Sequence, residues 1–93
     1  MNKYEMMYIL KSDLTDESRD AVIAKFEKIV TDNGGSVEKI DKWGTKKLAY
    51  PINYKAEGYY VLMTFTAAPT LNKELERVAG ISDDVIRQMI TKL

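Results

Sequence analysis

An α+β fold, with two helices on one face of a four-stranded antiparallel sheet, is what three features of this 93-residue sequence predict. Two segments alternate side chains with the period of a strand. Two others repeat apolar residues at helical spacing and end at glycine. All the segments together follow the order β-α-β-β-α-β.

The first strand spans Lys3 to Leu10, with Tyr4, Met6, Tyr8 and Leu10 on one face and Lys3, Glu5, Met7 and Ile9 on the other. Thr15 stands where it can cap a helix, since Asp16 and Glu17 follow in a first turn whose unpaired N–H groups favour carboxylates. Val22, Phe26, Ile29 and Val30 recur on one side of that helix, and Asn33-Gly34-Gly35 stops it, because glycine takes the left-handed conformation readily. Ser36 to Ile52 forms a long second strand, interrupted at Gly44. Asn53 to Gly58 is expected as a turn. Tyr59 to Thr66 is the third strand, with Tyr59, Val61, Met63 and Phe65 on one face and Tyr60, Leu62, Thr64 and Thr66 on the other. Pro69 and Thr70 open a second helix that carries Leu71, Leu75, Val78 and Ala79 on one side and closes at Gly80. Val85 to Thr91 is the fourth strand. With no linker or repeat, residues 1–93 are expected to form a single domain, and the order is that of a ferredoxin-like sandwich. In that arrangement strands one and three are central and strands two and four are edges.

Composition excludes several kinds of chemistry. Histidine and cysteine are both absent, which removes the usual general base, the commonest metal ligand, disulfides and thiolate sites. The four serines (12, 18, 36, 82) have no histidine to activate them, and Asp83-Asp84 falls where a turn is expected. Gly34-Gly35 follows a helix, whereas a phosphate-binding loop precedes one. An acylphosphatase-like site would need an arginine in the loop KSDLTDE, which has none. No catalytic residue, cofactor, metal or small-molecule substrate is therefore expected. The opening MNKYEMMYIL is too short and too charged in its apolar part for a signal peptide, and no apolar run approaches the roughly 20 residues of a membrane span. A cytosolic protein without a membrane partner is the expectation.

Formal net charge is zero, yet five lysines (39, 42, 46, 47, 55) face only Glu38 and Asp41 between Ser36 and Lys55, a local excess of three that leaves minus three elsewhere. Within that ribbon, KWGTKKLAYPI combines glycine, proline and lysine in a strand, features that suit a sheet edge. Such an edge resists unwanted pairing, and it also suits RNA. Lys42, Lys46 and Lys47 can neutralise phosphates while Trp43 and Tyr50 offer planes for stacking or packing on sugar. Trp43 could equally pack on the hairpin. The stretch EGYYVLMTF only faintly matches the strand-three motif of RNA-recognition domains, with Glu57 in place of the basic residue. Because two helices cover one sheet face, Met7, Ile9, Tyr60 and Leu62 on the other make a candidate contact patch. Scattered surface residues of this kind also occur on monomers.

Trp43-Gly44, Lys46-Lys47-Leu48-Ala49-Tyr50-Pro51-Ile52 and Gly58-Tyr59-Tyr60-Val61 closely resemble the signature of the bacterial small-subunit ribosomal protein six family. Tyr4-Glu5 and Val85-Ile86-Arg87 extend the likeness over essentially the whole chain. The resemblance implies a ferredoxin-like fold, a structural role in the small ribosomal subunit, binding to the central domain of 16S rRNA, and pairing with small-subunit ribosomal protein eighteen. It assigns RNA contact to Lys46 and Lys47, and to Lys3 and Arg87. The partner surface would fall on the uncovered face. Thr45 stands where relatives often have arginine, lysines fill a pair that is often arginine, and the sequence ends at Leu93 without the longer tail of some relatives. Two other readings use the same features: a small dimeric regulatory or ligand-binding module, and an independent single-stranded RNA binder.

Overall fold

The computed structural model describes residues 1–52 and 55–93, and the side chains of all of these except 48–52 and 55–56. The elements are β1 (Asn2–Lys11), α1 (Asp16–Asp32), β2 (Ser36–Ile52), β3 (Lys55–Ala67), α2 (Leu71–Ile81) and β4 (Val85–Lys92). They form one antiparallel sheet of order β2-β3-β1-β4, which places β1 and β3 at the centre as expected.

Alternation decides which sheet face is covered. Tyr4, Met6, Tyr8 and Leu10 of β1 and Val61, Met63 and Phe65 of β3 are buried against Val22, Ile23, Phe26 and Val30 of α1 and Leu71, Leu75, Val78 and Ala79 of α2. The Tyr8 ring lies 4.9 Å from that of Phe26, and Tyr4 lies 5.7 Å from Phe65, both tilted as aromatic quadrupoles prefer. Burial, reinforced by the charge of Glu27, pushes the Tyr8 hydroxyl well above its ordinary titration range, so it serves the core as a neutral group. Ile23 joins this core, while Ile29 only packs against its margin.

The helix ends follow from local chemistry. Thr15 accepts a hydrogen bond from the Ser18 N–H at 3.1 Å, with Asp16 and Glu17 in the first turn. At the other end Gly34 N–H donates to Thr31 O and Gly35 N–H to Val30 O, with Gly34 at φ +80°, the paired bonds of a left-handed helix stop. The second glycine serves a different need. A Cβ on Gly35 would lie 2.8 Å from both Thr66 O and Val30 Cγ1, so the chain can pass β3 here only without a side chain.

β1, β3 and β4 extend by one residue beyond the expected ends at Leu10, Thr66 and Thr91, β1 also starts one residue earlier, and two further boundaries differ for a visible reason. β3 begins at Lys55 rather than Tyr59, because β2 continues to Ile52 and supplies the ladder partners Lys46↔Gly58, Lys47↔Glu57 and Ile52↔Lys55. Backbone pairing thus turns Lys55–Gly58 into strand despite its turn-like composition, and the remaining expected turn residues, Asn53 and Tyr54, lie outside the described residues. α2 runs on past Gly80 to Ile81, and Ser82 caps it through its N–H to Ala79 O.

The two glycines make separable demands. Gly34→Asn should be nearly neutral, since asparagine tolerates the left-handed region, whereas Gly35→Ala should lose about 1–3 kcal/mol through overpacking against β3. Urea denaturation of the two variants checks this; equal losses would remove the close-approach argument.

Candidate RNA and protein interface

The uncovered sheet face is organised in cross-strand rows. Ile9 lies between Tyr60 of β3 and Arg87 of β4, and Met7 between Leu62 and Met89. The four residues expected as a partner patch are therefore direct neighbours. Ile9 departs from expectation: it is only 8% exposed, because it sits on a central strand with long side chains on both sides, and it is not the solvated position the alternation alone implied. Met7, Tyr60 and Leu62 are half-buried. Met89, at 57% exposure, extends the patch, and a shallow open depression of about 230 Å³ is lined by Met7, Ile9, Arg87, Gln88 and Met89. Sequence reasoning missed Met89 because its place beside Met7 is set by the β1–β4 register.

The basic ribbon is shaped by a bulge. Lys42 pairs with Val61 and Gly44 with Tyr60, which leaves Trp43 as an extra residue, and Gly44 takes φ +87° to accommodate it. Trp43 is consequently displayed at 44% exposure, with the Lys46 ammonium 5.2 Å from its ring centroid. Lys46 and Lys47 are both exposed and fall on opposite faces, as expected for adjacent residues of a strand. Lys46 pairs with Gly58, which pairs in turn with Lys11, so two lysines occupy one row on either side of a residue without a side chain. Sequence reasoning missed Lys11 as well, because nothing local in KSDLTDE shows that register. Tyr50 lies outside the described side chains.

Three other lysines of this side of the molecule, Lys3, Lys39 and Lys42, have carboxylate partners. Lys3 Nζ lies 3.0 Å from Glu38 Oε2, and the hydrogen bond from Lys3 is the main cause that holds the Glu38 carboxyl below its ordinary range. Glu38 also accepts from Thr66 Oγ1 at 3.3 Å. Lys42 Nζ lies 3.2 Å from Asp20 Oδ1, and Lys39 Nζ 3.4 Å from Asp41 Oδ2. Arg87 is exposed on edge strand β4, across β1 and β3 from the ribbon. An RNA phosphate at Lys3 or Lys42 would have to share the lysine with a carboxylate already bound to it, whereas Lys46 and Lys47 are in no ion pair among the described residues, although Glu57 is the cross-strand neighbour of Lys47. Among the described residues no group of three or more Asp, Glu, His or Cys side chains is placed to hold a metal, and no helix is long and apolar enough to cross a membrane.

A ferredoxin-like sandwich that presents an apolar sheet face and a lysine-bearing edge belongs to the class of small two-layer α+β modules. The family profile described as Ribosomal protein S6 matches residues 3–92, and the chain belongs to that family. Small ribosomal subunit protein bS6 of Exiguobacterium sibiricum is 49% identical over 92 residues, which cover 99% of this chain and 97% of that protein. The protein of the same name from Moorella thermoacetica is 47% identical over 93 residues, covering 100% of this chain and 95% of its own. The crystal structure of 30S ribosomal protein S6 from Thermotoga maritima shares the fold with a TM-score of 0.93 at 26% identity, over 99% of this chain and 87% of that one. The family consists of structural proteins of the cytoplasmic small ribosomal subunit, not enzymes.

Because the chain contains a single tryptophan, its fluorescence reports directly on the bulge. Emission should be that of a partly hydrated indole and open to acrylamide quenching, and Lys46→Ala should change it by removing the overlying cation. A blue-shifted, quencher-resistant signal would place Trp43 in packing instead.

Proposed function

We propose that the protein is a structural constituent of the small ribosomal subunit that binds the central domain of 16S rRNA together with small-subunit ribosomal protein eighteen. The observation that carries this reading is the presence, on one small α+β body, of two surfaces with different chemistry. Lys46 and Lys47 stand exposed beside Trp43 on the β2 edge, and Met7, Tyr60, Leu62 and Met89 form an apolar patch on the open face. Exposed lysines that are held in no ion pair suit phosphate, and an indole on a bulge suits a base or a ribose. The apolar rows suit a protein surface that leaves water with them. In this reading Lys42 and Tyr50 contribute to the same RNA-facing edge, Lys3 and Arg87 make further RNA contacts, and Ile9 supports the partner patch from beneath. Residues 1–93 act as one RNA-binding domain. Cosedimentation with small subunits, tested for ribonuclease sensitivity, checks the reading as a whole. A stable homodimer indifferent to RNA, or tight binding to short unstructured oligonucleotides, would replace it.

Replacing Lys46 and Lys47 together with alanine should weaken binding to a central-domain fragment and flatten its salt dependence by about 0.7–0.9 log units for each phosphate no longer neutralised, with little change in thermal stability. An unchanged salt slope would refute phosphate gripping by these lysines.

The partner surface is probed at Met89, which is exposed, and at Leu62, which is half-buried and lies opposite Asp41. Met89→Asp and Leu62→Lys should leave the isolated protein folded, the second placing a cation opposite Asp41, while each traps an unpaired charge in the interface and lowers pairing affinity by about 100-fold or more. Phe26→Asp, in the core, should unfold the protein and serves as the contrast. Normal co-assembly of both surface variants would move the partner elsewhere.

A further inference from the structure

The ladder between β1 and β3 ends at Lys11↔Gly58, so among the described residues the Lys55–Glu57 part of β3 has only β2 as a sheet partner. Lys46 lies in the last three-stranded row, opposite Gly58, and Lys47 in the first row of this two-stranded arm, opposite Glu57. A two-stranded ribbon twists more freely than a sheet and is marginal by itself, so its direction needs another constraint. α1 supplies one. The Arg19 guanidinium lies 4.0 Å from the centroid of the Tyr59 ring, on the residue next to Gly58 and paired with Thr45 of β2. The same guanidinium is fixed from the helix side, with Nη1 donating to Asp16 Oδ1 at 2.8 Å and Nη2 to Leu14 O at 3.3 Å. Its side chain is only 17% exposed, unlike most cations of the chain surface. The next residue of α1, Asp20, holds Lys42 of β2 at 3.2 Å. Successive residues of one helix thus grip both strands within the last rows of the sheet before the arm begins, Tyr59 opposite Leu10 and Lys42 in the row of Val61 and Tyr8.

We propose that Arg19 is a positioning residue for RNA binding: by stacking on Tyr59 it fixes the direction of the β2–β3 arm and hence the placement of Lys46 and Lys47. This rests on the RNA reading given above. Side-chain chemistry and geometry agree on the role. A planar guanidinium can stack on the ring and at the same time donate from its fork to Asp16 and Leu14, which a lysine cannot do from one ammonium. If the stack is removed, only a fraction of molecules holds the arm in the competent direction, and apparent affinity falls by that fraction. The competent molecules still make the same phosphate contacts, so the salt dependence does not change. That signature separates positioning from contact.

The test measures binding of the full chain, with small-subunit ribosomal protein eighteen, to a 16S central-domain fragment across a salt series. Arg19→Lys should lower affinity about tenfold with an unchanged salt slope, while Tyr59→Phe, which keeps the ring, should bind as the parent does. Arg19→Gln stands in if Arg19→Lys melts below the assay temperature. Unchanged affinity of the folded variant, whatever its melting temperature, would make Arg19 a stabilising residue only and overturn the inference. A salt slope flattened by the equivalent of one phosphate would also overturn it, by making Arg19 a phosphate ligand itself. The Lys46→Ala and Lys47→Ala double variant, measured alongside, identifies failure of the RNA reading itself: undiminished binding there would overturn both, and weakened binding there with none at Arg19 would overturn the positioning role alone.

Discussion

β1 and β3 pair over ten residues without a shift in register, from Asn2↔Ala67 to Lys11↔Gly58, and the rest of the structure depends on that ladder. With a side-chain period of two, it commits Tyr4, Met6, Tyr8 and Leu10 to the same face as Phe65, Met63, Val61 and Tyr59, and every alternate residue to the other. A slip of one residue between the strands would set Met7 and Ile9 beside the β3 core residues and expose Tyr8, so the burial of these large side chains selects the register. Phe26 and Leu75 can then bring their helices to only one side. The apolar character of the opposite face is a remainder of the same constraint: central strands need β-compatible residues on both faces, and the helices cover one.

Irregularity is confined to the edges. The register shifts of β2 fall at Glu38, at Trp43 and between Lys47 and Ile52, and that of β4 at Ile86, while the β1–β3 centre has none. Each extra residue breaks the flat row of backbone groups that would invite another strand, which is how natural sheets protect an edge. The same displacement gives the edge its surface chemistry. Trp43 protrudes because it has no cross-strand partner, and Glu38 reaches both Thr66 and Lys3 from its bulge. Protection of the edge and display of side chains are thus one structural event in β2.

The architecture was legible from sequence because its determinants are local. Alternation in β1 and β3, Thr15 as a cap, the glycine pair after α1 and the interruption at Gly44 each involve neighbours in the chain. What escaped was set by partners far away in sequence. Lys55–Gly58 reads as a turn until β2 is laid beside it, and Ile9 reads as solvated until Tyr60 and Arg87 flank it. Met89 and Lys11 enter their surface patches only through register. The same holds for electrostatics: Lys3 and Lys42 look like the other lysines of the sequence, but Glu38 and Asp20 meet them through the fold. Arg19 carried no signal at all, since its ring partner is on another strand.

Zero net charge sets the terms on which such a protein can engage RNA. Without a long-range attractive field, affinity has to come from close contacts, and the placement of each cation matters more than their number. The fold sorts the lysines accordingly. Those at positions 3, 39 and 42 are held by carboxylates at 3.0–3.4 Å, which lowers their attraction for an arbitrary phosphate. Lys46, by contrast, rests over an aromatic ring, a weaker partner that leaves its charge available. In the proposed reading, paired lysines suppress binding to unrelated RNA, and the hairpin edge concentrates the interaction at one place. Such a division makes the direction of the hairpin a determinant of specificity, because two lysines on a misdirected arm could not be replaced by a diffuse positive surface.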